Sequence, residues 1–210
     1  MSTPSVTIID LDIGNLLSVA NAFHRVGAQV SVVKHAREVN EANILVLPGV
    51  GAFERAMSRL HANEFGPLLR RHAVDAKRPL VGICLGMQML ADRSFENGDT
   101  AGLGLISGDV IKLEQQLPQY RVPNIGWMPV STGSNSAVFD ASLDGKTFYH
   151  VHSYHLACKD ERDVAATVDF AGKKVVTAVH RNNLVGVQFH PEKSQDAGLD
   201  LLSSLLTHLS

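Results

Sequence analysis

The chain has 210 residues, 45% of them hydrophobic and 19% charged, enough apolar material to close one core without disulfide or metal staples. A formal net charge of −2, with no run of five like charges, excludes the positive field that gathers nucleic acid or an anionic membrane. Two cysteines, Cys84 and Cys158, exclude a disulfide framework and point to a reducing cytoplasm.

In chain order, Met1–Ser5 has neither a basic segment nor a long apolar one, so no signal peptide is expected. Val6–Asp10 is a short apolar run closed by turn residues and predicts a buried strand. Gly14-Asn15 is a turn, Leu16–Val26 has helical apolar spacing, and Gly27 stops that helix. Strands are predicted at Gln29–Val33 and Ile44–Leu47, the latter ended by Pro48-Gly49. Helices follow at Phe53–Leu60 and Phe65–Ala76, and a fourth strand, Leu80–Ile83, runs straight into Cys84. This alternation predicts an α/β fold with a mainly parallel, flavodoxin-like open sheet and helices on both faces. Residues 104–188 then change to short β runs: Gly126–Val130, Thr147–His152, Val164–Phe170, Val175–His180 and Leu184–Gln188, with a loop at Gly133–Ser136. Additional antiparallel strands are expected there. Leu199–Leu209 closes the chain as an amphipathic helix, and the last strand and helix are expected to rejoin the first sheet. No apolar run approaches the ~20 residues that span a bilayer. No Pro/Gly/Ser-rich linker divides residues 1–210, so one domain is expected.

Gly82-Ile83-Cys84-Leu85-Gly86 is G-x-C-x-G between a strand and a helical pattern, the cysteine form of a nucleophile elbow. Glycines there remove Cβ atoms that would clash in a sharp turn, and the start of the next helix favours thiolate. The plain alternative is a buried structural cysteine. In His190-Pro191-Glu192 the proline holds the preceding residue extended, so His190 and Glu192 face one side, and the carboxylate can orient the imidazole. Together they complete a nucleophile, base and orienter. Pro48-Gly49-Val50-Gly51, at another strand end, offers backbone N–H groups to an oxyanion and lacks the Gly-Lys-Ser/Thr of a phosphate loop. His150, His152 and His155 form H-x-H-x-x-H, but no nearby Asp, Glu or Cys completes a ligand pattern, so no metal or cofactor is expected. Gly102-x-Gly104-x-x-x-Gly108 has the wrong spacing for a dinucleotide site.

Pro-Gly-Val-Gly near residue 50, Gly-Ile-Cys-Leu-Gly-Met-Gln near 84 and Gly-Val-Gln-Phe-His-Pro-Glu-Lys near 190 resemble the class I glutamine amidotransferases. Ile13–Leu16, Leu47–Phe53, Ile125-Gly-Trp127, Val151–Tyr154 and Phe189–Gln195 narrow the resemblance to the glutaminase subunits of imidazole glycerol phosphate synthase, over nearly the whole chain. The resemblance implies that Cys84 attacks the glutamine amide to form a thioester, that His190 shuttles protons and that Glu192 orients it. It implies an oxyanion hole of Val50 and Leu85 N–H groups. Gly49, Gly51, Gln88, Glu96, Ser153 and Tyr154 match positions that hold L-glutamine. Trp127, Tyr149 and Lys193 match positions facing a partner cyclase, a (βα)8 barrel that completes a heterodimer and consumes the ammonia. A flip of the Gly49–Val50 peptide is the expected link between partner and oxyanion hole.

The chain departs from the family at Asp10-Leu11-Asp12, where Asp-Tyr-Gly is common, and at Asn124 and Met128, where His and Asn are common. The rival readings are the glutaminase of another ammonia-using synthase, such as that of pyridoxal phosphate synthesis, a non-catalytic regulatory subunit, and a cysteine hydrolase acting on peptides.

Overall fold

A computed structural model describes residues 3–39, 44–114, 120–133 and 136–209. The first half runs β1 (Ser5–Ile9), α1 (Leu16–Arg25), β2 (Gln29–Val33), β3 (Ile44–Gly49), α2 (Phe53–Ala62), α3 (Phe65–Arg70), β4 (Leu80–Cys84) and α4 (Leu85–Met89). The second half adds β5 (Arg93–Ser94), β6 (Thr100–Ala101), β7 (Gly108–Lys112), β8 (Asn124–Pro129), β9 (Ser131–Thr132), β10 (Thr147–His152), β11 (Tyr154–Cys158), β12 (Val164–Phe170), β13 (Lys173–Arg181), β14 (Leu184–Val187) and α5 (Gln195–Leu209). Of the expected loop at Gly133–Ser136, Ser134 and Asn135 lie outside the described residues.

The main sheet has the order β2-β1-β3-β4-β14-β13-β12-β9. Its first five strands are parallel, and β13, β12 and β9 continue it antiparallel. The parallel half therefore has the flavodoxin-like order, with β14 returning from the far end of the chain to sit beside β4. Its central strands β3, β4 and β14 are buried along their whole length and carry no charged residue, because both faces are covered. In β3, Ile44 and Val46 join one core with Phe23 of α1 and Leu201, Leu202 and Leu205 of α5. Leu45 and Leu47 point the other way, into a core with Phe53, Met57 and Leu60 of α2 and Phe65 and Leu69 of α3. No helix among the described residues is long and apolar enough to cross a membrane.

Two smaller sheets lie outside this frame: β10 paired with β8, and β11-β7-β5-β6. Four of these strands, β5, β6, β7 and β11, have no counterpart among the predicted runs. Two are only two residues long, and β7 opens on Gly108-Asp109, which carries no period-2 signal. The helix expected over residues 65–76 is regular only to Arg70 and continues as a wider π turn, Arg71–Asp75, where buried His72 bonds the Pro79 carbonyl at 2.9 Å. The helical pattern after the elbow, read from the sequence as Met87–Ala91, is a helix that starts at Leu85, directly after Cys84, the last residue of the strand.

Candidate active site

Cys84 bears the geometry of that junction: φ is 55° and ψ −110°, a left-handed setting for a residue with a Cβ. The two glycines of the motif are required by contact. A Cβ on Gly86 would lie 1.7 Å from the Leu47 carbonyl oxygen, and one on Gly82 would lie 2.7 Å from the Gly86 backbone. The elbow thus packs directly onto β3, and Gly49, the last residue of β3, is paired with Cys84.

His190 and Glu192 reach the same place from the end of β14. Their side chains are almost wholly buried, and His190 Nδ1 lies 2.8 Å from Glu192 Oε1. The His190 backbone is held on both sides: its N–H donates to the Tyr149 carbonyl at 2.9 Å, and its carbonyl accepts from Ser194 Oγ at 2.6 Å. Burial alone would push the imidazole pKa down. The Cys84 sulfur and the Glu192 carboxylate outweigh it, and the balance is up, to about 9. His190 Nε2 nevertheless has no aligned hydrogen-bond partner. Sulfur and imidazole are neighbours in electrostatic contact.

A cleft of about 390 Å³ opens over Cys84, lined by Val50, Gly51, Leu85, Gln88, Glu96, Ser153 and Tyr154 among others. All of these are residues the sequence places at the site. Gly49 lies against Leu85 outside the lining, and His190 and Glu192, both buried, are also outside it. Several groups are already committed. Glu96 Oε2 accepts from Phe53 N–H at 2.7 Å at the start of α2, the Ser153 carbonyl accepts from Leu113 N–H at 2.8 Å, and the Tyr154 carbonyl accepts from both Gln88 Nε2 and His152 Nδ1 at 2.9 Å. In the loop from β3, the left-handed backbone is at Gly51 (φ 101°), one residue past the Gly49–Val50 peptide expected to flip; Gly49 itself is regular strand.

Trp127, Tyr149 and Lys193 are brought together, outside the lining of the cleft. Trp127 and Tyr149 are opposite each other across β8 and β10, their rings edge-to-face at 6.0 Å, and Lys193 Nζ lies 5.9 Å from the Tyr149 ring centre. Trp127 remains 46% exposed.

Two of the three H-x-H-x-x-H histidines have their ring nitrogens occupied by other groups. His150 Nδ1 donates to the Phe148 carbonyl at 2.9 Å and its Nε2 accepts from the Thr177 hydroxyl at 2.6 Å. His152 Nδ1 donates to the Tyr154 carbonyl, and its Nε2 accepts from Asn124 Nδ2 at 3.3 Å. Burial lowers both, to about 4 and about 3.

Sequence reasoning missed four residues at the site: Pro123, Val151 and His152 in the lining, and Gln188, whose Nε2 lies 3.8 Å from Cys84 Sγ. For Gln188 the signal is present. It stands two residues before His190, and residues two apart in an extended segment face one side; the expectation that Glu192 also lies in such a segment is corrected, since Pro191–Lys193 is a 3-10 turn that brings Glu192 back to His190.

With this geometry in place, comparison with known proteins is decisive. The family model for glutamine amidotransferase class-I matches residues 7–206. The chain belongs to that family. This amidotransferase is 38% identical over 199 residues to imidazole glycerol phosphate synthase subunit HisH 1 of Campylobacter jejuni strain 81-176, covering 95% of this chain and 98% of that one. It is 40% identical to the HisH subunits of Chlorobaculum tepidum (95% and 98% covered) and Aquifex aeolicus (94% and 93% covered). Among solved structures, a putative GMP synthase component from Thermoplasma acidophilum matches with a TM-score of 0.72 at 19% identity, covering 99% of this chain and 94% of that one. PurLQS from Thermotoga maritima matches with a TM-score of 0.72 at 16% identity, covering all of both chains. These two likenesses concern the fold alone. The expectations of an α/β amidotransferase fold and of a glutamine amidotransferase both hold.

Proposed function

We propose that this chain is the glutaminase subunit of an imidazole glycerol phosphate synthase, one amidotransferase domain over residues 1–210, working in the cytoplasm as a heterodimer with a (βα)8-barrel cyclase in histidine biosynthesis. The observation that carries the reading is the meeting of Cys84, on its strained elbow, with the buried His190–Glu192 pair. The names of its relatives support the choice of synthase.

With His190 raised to about 9, the imidazolium is the resting form at neutral pH, and the attacking species is the Cys84 thiolate paired with it. Cys84 Sγ attacks the carboxamide carbon of L-glutamine. The oxyanion that develops is met by the Val50 and Leu85 N–H groups, each such donor being worth ~10²–10³ in rate. His190 gives its proton to the departing nitrogen, ammonia leaves, and a thioester remains. His190, now neutral, takes a proton from water; the hydroxide adds to the thioester, and glutamate departs as Cys84 is restored. Glu192 keeps the imidazole aimed throughout. Gln88, Glu96 and the residues around Ser153 and Tyr154 seat the substrate. Trp127, Tyr149 and Lys193 face the cyclase, which uses the ammonia to form imidazole glycerol phosphate and aminoimidazole carboxamide ribotide.

Cys84→Ala tests the reading. With the cyclase present, it is expected to abolish synthesis from glutamine and leave synthesis from ammonium salts intact. Retained glutaminase activity would overturn it.

A further inference from the structure

Gln188 is 0% exposed, and its side-chain amide has no part in the chemistry above. Its Nε2 donates to Cys84 Sγ at 3.8 Å, and its Oε1 accepts from Gln88 Nε2 at 2.9 Å. Gln88 Nε2 also donates to the Tyr154 carbonyl at 2.9 Å. The orientation of both amides follows from that last contact. A backbone carbonyl can only accept, so Gln88 must turn its NH₂ toward Tyr154. The same NH₂ then faces Gln188, whose oxygen must be the acceptor, and the NH₂ of Gln188 is what remains to meet the sulfur. The Tyr154 carbonyl is itself held by His152 Nδ1, and His152 Nε2 by Asn124, the residue that departs from the family's usual histidine.

The two amides thus form a relay of one polarity, Gln88 donating to the Gln188 oxygen and Gln188 donating to the sulfur. Bonds in such a chain polarise one another. Gln88 lines the cleft with both its N–H groups committed, so its Oε1 is what it offers a ligand's donor.

We propose that Gln188 is a positioning residue for Cys84: it holds the sulfur, stabilises negative charge on it, and transmits occupation of the Gln88 seat to the nucleophile. The inference rests on Cys84 being that nucleophile. A donor arriving at Gln88 Oε1 strengthens each bond behind it and ends as a stronger N–H···S contact, so the sulfur is best prepared when substrate is seated.

The test compares wild type with Gln188→Met, similar in length without a donor, and Gln188→Glu, which turns an acceptor toward the sulfur. The pH dependence of Cys84 alkylation by iodoacetamide is followed by peptide mass spectrometry, which separates Cys84 from Cys158. Glutamine turnover with the cyclase gives kcat and KM. The alkylation midpoint is expected to rise in Gln188→Met and further in Gln188→Glu. Loss of one charge-assisted hydrogen bond corresponds to about 10–100-fold in kcat, with KM changed less than about threefold. Folded variants with the wild-type alkylation profile would overturn the inference. If neither Gln188 variant folds, Gln88→Leu cuts the relay one link away and must move the profile the same way. An active Cys84→Ser chain would overturn the nucleophile assignment itself, so the two failures are read separately.

Discussion

Glu192→Gln removes one charge and almost no volume from a pair that is nearly inaccessible to solvent, with side-chain exposures of 3% and 4%. The wild-type imidazole stands at about 9 against an ordinary 6.5, although burial pulls it the other way. That net rise corresponds to roughly 3 kcal/mol in favour of the imidazolium. Removing an opposite charge at hydrogen-bond distance typically moves a pKa by about 1–3, so His190 in the variant should titrate near or below neutrality. The glutamine side chain can also turn its NH₂ toward Nδ1, forcing the tautomer that cannot accept a proton at Nε2. The expected loss in kcat for glutamine hydrolysis is therefore about 10²–10⁴, with KM changed much less. Folding stability follows the sign of the shift. A raised histidine contributes stability that is fully present below pH 6.5 and is lost as pH rises through about 9. Wild type should lose stability across that window, and the variant should lose less. Glutamate release by the reconstituted enzyme, NMR titration of His190 and urea midpoints between pH 6 and 10 check the three outcomes. A variant within about threefold of wild-type turnover, with His190 still titrating near 9, would refute the assignment of Glu192 as orienter.

Two further outcomes follow from the geometry. Gly86→Ala places a Cβ against the Leu47 carbonyl, a backbone atom that cannot swing aside, so the thermal midpoint should drop sharply or folding fail; an unchanged midpoint would contradict the packing of the elbow on β3. His150 and His152 are depressed to about 4 and about 3 by burial, so their contribution is complete above pH 6.5 and fades as pH falls below it, by up to about 2 kcal/mol per ring at pH 5; urea midpoints at pH 7 and 5 should differ accordingly, and an acid limb that begins only near pH 4 would show that the rings are hydrated.

The parts of the fold legible in the sequence are those whose signal is local. Gln29–Val33, Thr147–His152 and Val164–Phe170 have the same ends in sequence pattern and in structure, because each is a β-rich run closed by turn residues. β5, β6, β7 and β11 escape the pattern, since two-residue strands carry no period and their sheet is assembled from segments as far apart as β5 and β11, more than sixty residues. The same divide runs through the site. Cys84 and the His190–Glu192 pair announce themselves through glycine and proline neighbours. What Gln188 and Asn124 do depends on partners 104 and 28 positions away. His150 and His152 resemble ligands in sequence because spacing records only which side chains share a face; that Thr177 and Asn124 occupy their ring nitrogens is a tertiary fact.

Strand order explains why three segments so far apart in sequence form one site. Parallel neighbours end on the same edge of a sheet, so β3, β4 and β14 deliver the Val50 loop, Cys84 and the His190 segment side by side, with Gly49 in register with Cys84 and Ile83 with Val187. The aim of the imidazole is set from elsewhere. The Tyr149 carbonyl takes the His190 N–H, while Ser194 Oγ accepts the Tyr149 N–H and donates to the His190 carbonyl. Tyr149 belongs to β10, which among the described residues pairs only with β8 and stands apart from the main sheet. The exposed Trp127–Tyr149–Lys193 surface and the buried imidazole are thus separated by one residue's backbone and a serine hydroxyl. Cys84 takes its position from β4 in the main sheet, while the His190 backbone is held by Tyr149 of β10 and by Ser194, so the two side chains are placed by different sheets.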